Sequence, residues 1–164
     1  MEVTAPDIPT LRELAASEIL IRLYRYWLDK RGGRAMPSRR DIDPLEFSFA
    51  IGRVSLLDVV AGPRRFHYRL VSTALTARLG YEMTNKFTDE IPDQDVRSYV
   101  EHLYGRVLDR HAPLYEKSTR VIDNKTWQHE ALLLPLSSDG NTVDMIMVYR
   151  WTFDPLPLPR WAQT

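Results

Sequence analysis

Four histidines, His67, His102, His111 and His129, are the residues of this chain best suited to metal, haem or proton chemistry. No two have the spacing that would place a pair of imidazoles on one helix face for a metal. His102 falls in a segment whose apolar residues Val96, Val100, Leu103 and Val107 form one stripe. At about 100° per residue it lies well off that stripe, which argues against ligation of a buried haem. His129 and Glu130 are neighbours in a strand-like run, so they point to opposite sides and do not act as one acid–base pair. Asp58 and Asp144 are acid or base candidates if a strand buries them; the plainer expectation is that they end strands, pair with arginine or face water. There are no cysteines, which excludes disulfides, thiolate metal sites and cysteine nucleophiles. A serine elbow, a phosphate loop and an H-E-x-x-H motif are all missing. No nucleophile, base and orienting group can be assembled, so the sequence reads as a non-enzyme. The basic run Arg31, Arg34, Arg39 and Arg40 could meet phosphate or an acidic partner. The expectation is instead that these arginines cover helix ends and pair with Asp41 and Asp43.

The elements that must position these residues are legible from pattern. Residues 1–9, with Pro6 and Pro9, read as a flexible lead-in. Thr10 and Glu13 have capping-box spacing and predict one N-terminal helix over 10–31, stopped by Gly32-Gly33. Its apolar stripe is broader than one core-facing side needs. Asp43-Pro44-Leu45-Glu46 starts a second, short helix. Residues 54–60 and 65–71 read as a hairpin turning at Ala61-Gly62-Pro63-Arg64. Thr73 is the expected cap of a short helix ending at Gly80, and Asp93 that of a long amphipathic helix closed by Arg110 and His111. Strands follow at about 114–122, 127–136 and 143–153. Their turns are Asp123-Asn124-Lys125 and Ser138-Asp139-Gly140-Asn141. Residues 10–154 form one expected domain and 155–164 an irregular tail. Segregated helices and hairpins predict an α+β fold: a five-stranded antiparallel sheet with helices on one face and an additional N-terminal helix.

Composition narrows the class. At 164 residues the chain suits one domain. Lys+Arg and Asp+Glu are 22 each, a balance that argues against nucleic acid and against a polybasic membrane surface. No apolar run approaches the roughly 20 residues that span a bilayer. Met1–Pro9 lacks a signal peptide's basic start and apolar core, so a cytoplasmic protein is expected.

Particular stretches carry a resemblance. Thr73 to Tyr81, ending Leu-Gly-Tyr, and Ile91-Pro92-Asp93 resemble the segments around the cavity-flanking helices of PAS domains. Arg31 to Arg39 leading into Asp41-Ile42-Asp43-Pro44, Tyr68 to Leu75, and Leu134 to Gly140 with Val143-Asp144-Met145 resemble a family of small bacterial single-domain PAS proteins. The resemblance spans roughly residues 15–150. Two positions depart from it, with Ser72 and Asn85 standing where glycine is usual. It implies a sensor or relay module, and the missing cysteines remove the flavin–cysteine chemistry of some relatives. No cofactor is expected.

In such a fold Phe66, Tyr68, Leu70, Leu79, Tyr99, Leu103, Tyr115, Met145 and Met147 are the expected ligand-binding set, converging between sheet and helices. The expected function is a sensory or regulatory module, binding a small ligand and signalling to a protein partner. The broad stripe of the 10–31 helix points to a homodimer. Two alternatives stand beside it. One is a ligand-free structural or dimerisation module with a filled core. The other is a small cone-shaped isomerase or dehydratase with an Asp or His at the cavity floor, Asp58 and Asp144 being the residues to mutate.

Overall fold

Thr10 and Glu13 do not cap a single N-terminal helix. In the computed structural model, which describes residues 1–63, 65–122 and 125–152, two helices occupy this stretch, α1 (Ile8–Leu14) and α2 (Glu18–Arg31). Asp7 caps the first, its carboxylate accepting the Thr10 N–H at 2.7 Å. Ser17 caps the second, its hydroxyl accepting the Leu20 N–H at 3.3 Å. The break is held from far along the chain. The Glu130 carboxylate accepts the Ala16 N–H at 3.1 Å and the Ser17 N–H at 2.8 Å. Capping preferences are local, so a boundary set by a carboxylate 114 residues away escapes them.

All strands among the described residues belong to one antiparallel sheet. They are β1 (Glu2–Thr4), β2 (Val54–Val60), β3 (Arg65–Leu70), β4 (Leu114–Ile122), β5 (Lys125–Leu136) and β6 (Met145–Thr152), in the spatial order β1-β4-β5-β6-β2-β3. The five expected strands are present. The sixth lies in the stretch read as a flexible lead-in, where Glu2 pairs with Glu116 and Thr4 with Leu114. Three residues carry no readable periodicity, yet they cover an edge that would otherwise leave backbone groups unpaired. Glu2 fastens this strand to the long helix through His102 Nε2 at 2.8 Å and Arg106 Nε at 3.3 Å.

Both faces of the sheet are covered. The inner face carries α3 (Thr73–Leu79) and α4 (Gln94–Arg110); the outer face carries α1 and α2. Because strand side chains alternate, β5 contributes His129, Ala131 and Leu133 to one face and Glu130, Leu132 and Leu134 to the other, all buried. Trp27 of α2 is fully buried on the outer face and donates its indole N–H to the Pro135 carbonyl at 3.0 Å. Asp93 caps α4 as expected, accepting the Asp95 and Val96 N–H groups.

The departures from the PAS pattern have ordinary geometry. Ser72, not Thr73, caps α3, with φ −64° and its hydroxyl accepting the Leu75 N–H. Asn85 takes the left-handed conformation, φ 64°, that asparagine tolerates better than most residues. Within the 31–44 motif, Arg34 caps α2 through the Lys30 and Arg31 carbonyls and pairs with Asp41 at 2.9 Å, while Asp41 holds the Ser38 N–H and hydroxyl. The turns expected at Arg64 and at Asp123-Asn124, and the tail 155–164, lie at least partly outside the described residues.

Candidate functional site

The inner face holds a cavity of about 70 Å³ between the sheet, α3 and α4. Leu75 and Leu79 of α3, Ile91, and Val96 and Val100 of α4 make its aliphatic wall. The polar lining is Tyr68 on β3, Ser72, Arg78 on α3, Tyr99 on α4, His129 on β5, and Arg150 and Thr152 on β6. Cross-strand pairing sets this side. Leu57 lies between Tyr68 and Ile146, which puts Ile146, Val148 and Arg150 in phase on the inner face.

A hydrogen-bonded cluster lines the polar wall. The Tyr99 hydroxyl donates to Glu116 at 2.7 Å and is in close contact with His129 Nε2. His129 Nε2 lies 3.2 Å from the same Glu116 oxygen. Burial pushes the Glu116 carboxyl up, but the hydrogen bonds from His129 and Tyr99 outweigh it and hold it at about 2. A carboxyl held that low is a weak general base at neutral pH. Burial raises the Tyr99 hydroxyl well above its ordinary value and Tyr68 likewise, so both stay protonated donors. Tyr68 and Tyr104 share a hydrogen bond at 3.0 Å. The Arg150 guanidinium lies among Tyr68, Tyr99 and Tyr104; desolvation opposes its charge, yet these tyrosines raise its basicity further.

A sequence profile of the PAS-domain family matches residues 15–148. The chain belongs to the PAS-domain family. Among curated proteins, none matches it. Its fold is similar to that of the PAS domain of Bordetella pertussis BvgS, at 17% identity and TM-score 0.52, over 70% of this chain and 89% of that one. A LOV protein of Rhodobacter sphaeroides aligns at 12% identity and TM-score 0.43, over 74% of each chain.

This PAS domain brings together only part of the expected ligand-binding set. Tyr68, Leu79 and Tyr99 line the cavity. Phe66 and Leu103 are buried beside it in the core, Phe66 edge-on to Tyr104 at 5.2 Å. Tyr115, Met145 and Met147 belong to the outer face. The Tyr115 hydroxyl bonds Glu130 at 2.8 Å and the Leu14 carbonyl at 3.2 Å. Met147 pairs in register with Leu134 and Leu56, and Met145 with Leu136. Leu70 is 45% exposed. A register shift between Leu56 and Leu57 sets it opposite Leu56 and out of phase with Tyr68. Convergence of all nine residues assumed that 66, 68 and 70 share a face with 145 and 147, and the pairing opposes that by one residue.

The chemistry candidates lie elsewhere. His102 is turned to solvent and pairs with Glu2. Asp58 lies between His67 and Arg69. Asp144 holds the Ser138 N–H and hydroxyl, which steadies the 137–144 loop. Among the described residues no group of three or more His, Asp or Glu is placed to hold a metal, and no helix is long and apolar enough to cross a membrane. Sequence reasoning missed Glu116 and Arg150, and it named His129 without placing it in the site. A signal for Arg150 exists: it is in phase with Ile146 and Val148 on a strongly apolar strand, where a charge is out of keeping.

Proposed function

We propose that this PAS domain is a regulatory module that takes a small ligand at the inner-face cavity and passes its occupancy through β5 to the α1–α2 break. One observation carries the reading. His129 and Glu130 are consecutive on β5; the first lines the cavity and the second holds the Ala16 and Ser17 N–H groups on the far side. A shift or twist of β5 therefore reaches both places. A ligand drives the change only through different affinity for two arrangements of the sheet and helices.

The signal leaves by protein contact at the α1–α2 surface. The apolar stripe of α2 is taken up by the domain itself, with Leu20, Ile21, Leu23, Tyr24 and Trp27 all buried. What α2 offers outward is Glu18, Arg22, Arg25 and Asp29. A second copy or another protein docking there meets charge, so its affinity falls with added salt.

A ligand-free structural module is the second reading, favoured by the cavity's size. About 70 Å³ is room for about two waters, whereas ligand sites run to roughly 300–1,000 Å³. Entry of anything larger displaces α3, which contributes no fully buried residue and is the lightly held wall.

Amide exchange separates the two readings. Ala74→Phe places a ring at the cavity mouth. The expected result is a several-fold change in exchange of the Ala16 and Ser17 amides, with α4 protection kept. Unchanged exchange there would rule out coupling through β5.

A further inference from the structure

Arg150 is a cation in a place that gives it no anion. It stands on β6 facing α4, with its guanidinium carbon 5.9 Å from the centre of the Tyr99 ring. Its interactions are with tyrosines: hydrogen bonds to Tyr104 and Tyr99 and the nearby hydroxyl of Tyr68. Its Nη2 nitrogen is buried and has no hydrogen-bond partner. No carboxylate pairs with it among the described residues, and the nearby Glu116 is engaged by Tyr99 and His129. A buried charge without a counter-charge is costly, and a guanidinium with an unused N–H is costly again.

The outer face shows what this chain does with a buried charge that serves structure. Glu130, fully buried, accepts hydrogen bonds from two backbone amides and a tyrosine hydroxyl. Arg150 has no such arrangement, and it lines the cavity. A guanidinium with an unused nitrogen in the wall of a cavity is suited to a carboxylate, which its planar fork can bind through two parallel hydrogen bonds. The Tyr68 hydroxyl, which shares a hydrogen bond with Tyr104, lies nearby, while the Tyr99 proton is taken by Glu116. Leu75, Leu79, Ile91 and Val100 give the cavity an aliphatic side, and Arg78 of α3 is a second cation in its lining.

We infer that the ligand of this cavity is a small carboxylate, its carboxylate on Arg150 and its short apolar body against α3 and α4. This rests on the reading of the cavity as a ligand site and names the ligand's class.

The test is a titration of the intact chain with acetate, butyrate, hexanoate and benzoate, each beside its uncharged amide, followed by nitrogen–proton chemical shifts. Butyrate-sized acids are expected to move the Tyr99, Val100 and Arg150 signals at least tenfold more tightly than their amides. Arg150→Met is expected to lose that binding by at least tenfold while keeping the dispersed spectrum of a folded chain. Arg150→Lys, which keeps the charge and loses the fork, falls between. Amides binding as well as acids, or Arg150→Met binding acids unchanged, overturns the carboxylate assignment and leaves the ligand reading intact. No shift with any acid at millimolar concentration overturns it too, and the Ala74→Phe exchange experiment then reports separately on coupling through β5.

Discussion

The two faces of the sheet each bury a carboxylate, and they treat it differently. On the outer face Glu130 receives N–H groups from Ala16 and Ser17 and the Tyr115 hydroxyl. Around Glu130 the packing is closed: Trp27, Tyr149 and Leu132 are buried and the polar atoms of Trp27 and Tyr149 have partners within the chain. On the inner face Glu116 belongs to a cluster with Tyr99 and His129, and beside it lie an unpartnered guanidinium nitrogen and an open space. The first face is organised for stability, holding the N-terminal helices in register. The second leaves polar potential unused, a pattern associated with binding sites, where stability is given up for function.

The sharpest way to break this contrast is Glu130→Ala. It strands two backbone N–H groups and a hydroxyl in the outer core, and is expected to cost about 3 kcal/mol or more. Chemical denaturation measures it, and a loss under about 1 kcal/mol would show that the helix break is held by packing alone. Next in size is the acid response of the inner face. Glu116 is held at about 2, below its ordinary 4.5, so the native state binds this proton less readily than the unfolded chain. Its contribution is complete above about pH 5 and is lost as pH falls from there toward 2, on the order of 3 kcal/mol at most. Glu116→Gln should flatten the pH dependence of stability across that window; an unaltered slope would assign the acid response to other carboxylates. Smallest is Arg150→Met without ligand. Replacing an unpaired buried charge with an apolar chain of similar length is expected to change stability by less than about 1 kcal/mol in either direction. A large loss would mean that Arg150 is as structural as Glu130, and the contrast between the faces would fail.

Local signals in the sequence reached the elements and missed their phase. Asp93 and the stripe from Val96 to Val107 placed α4 almost to the residue, because a cap and a 3.6-residue period are properties of contiguous residues. The hairpin of 54–60 and 65–70 was legible for the same reason. Of the site, Tyr68, Leu79 and Tyr99 were found because they lie on elements whose inward side was readable. Met145, Met147 and Tyr115 were put on the wrong face because β5, β6 and the first residues of β4 are buried on both sides, and period-2 alternation vanishes when both faces are buried.

Composition, caps and periodicity by themselves determined an α+β chain with a hairpin, a long amphipathic helix and three further strands, and with no cysteine chemistry. Tertiary structure alone decided the break between α1 and α2, the edge strand at Glu2–Thr4, and the meeting of Glu116, His129, Tyr99 and Arg150. Each of these depends on groups far apart in the chain, brought together by strand register. Register is fixed by the packing of whole faces, which no short window of sequence contains.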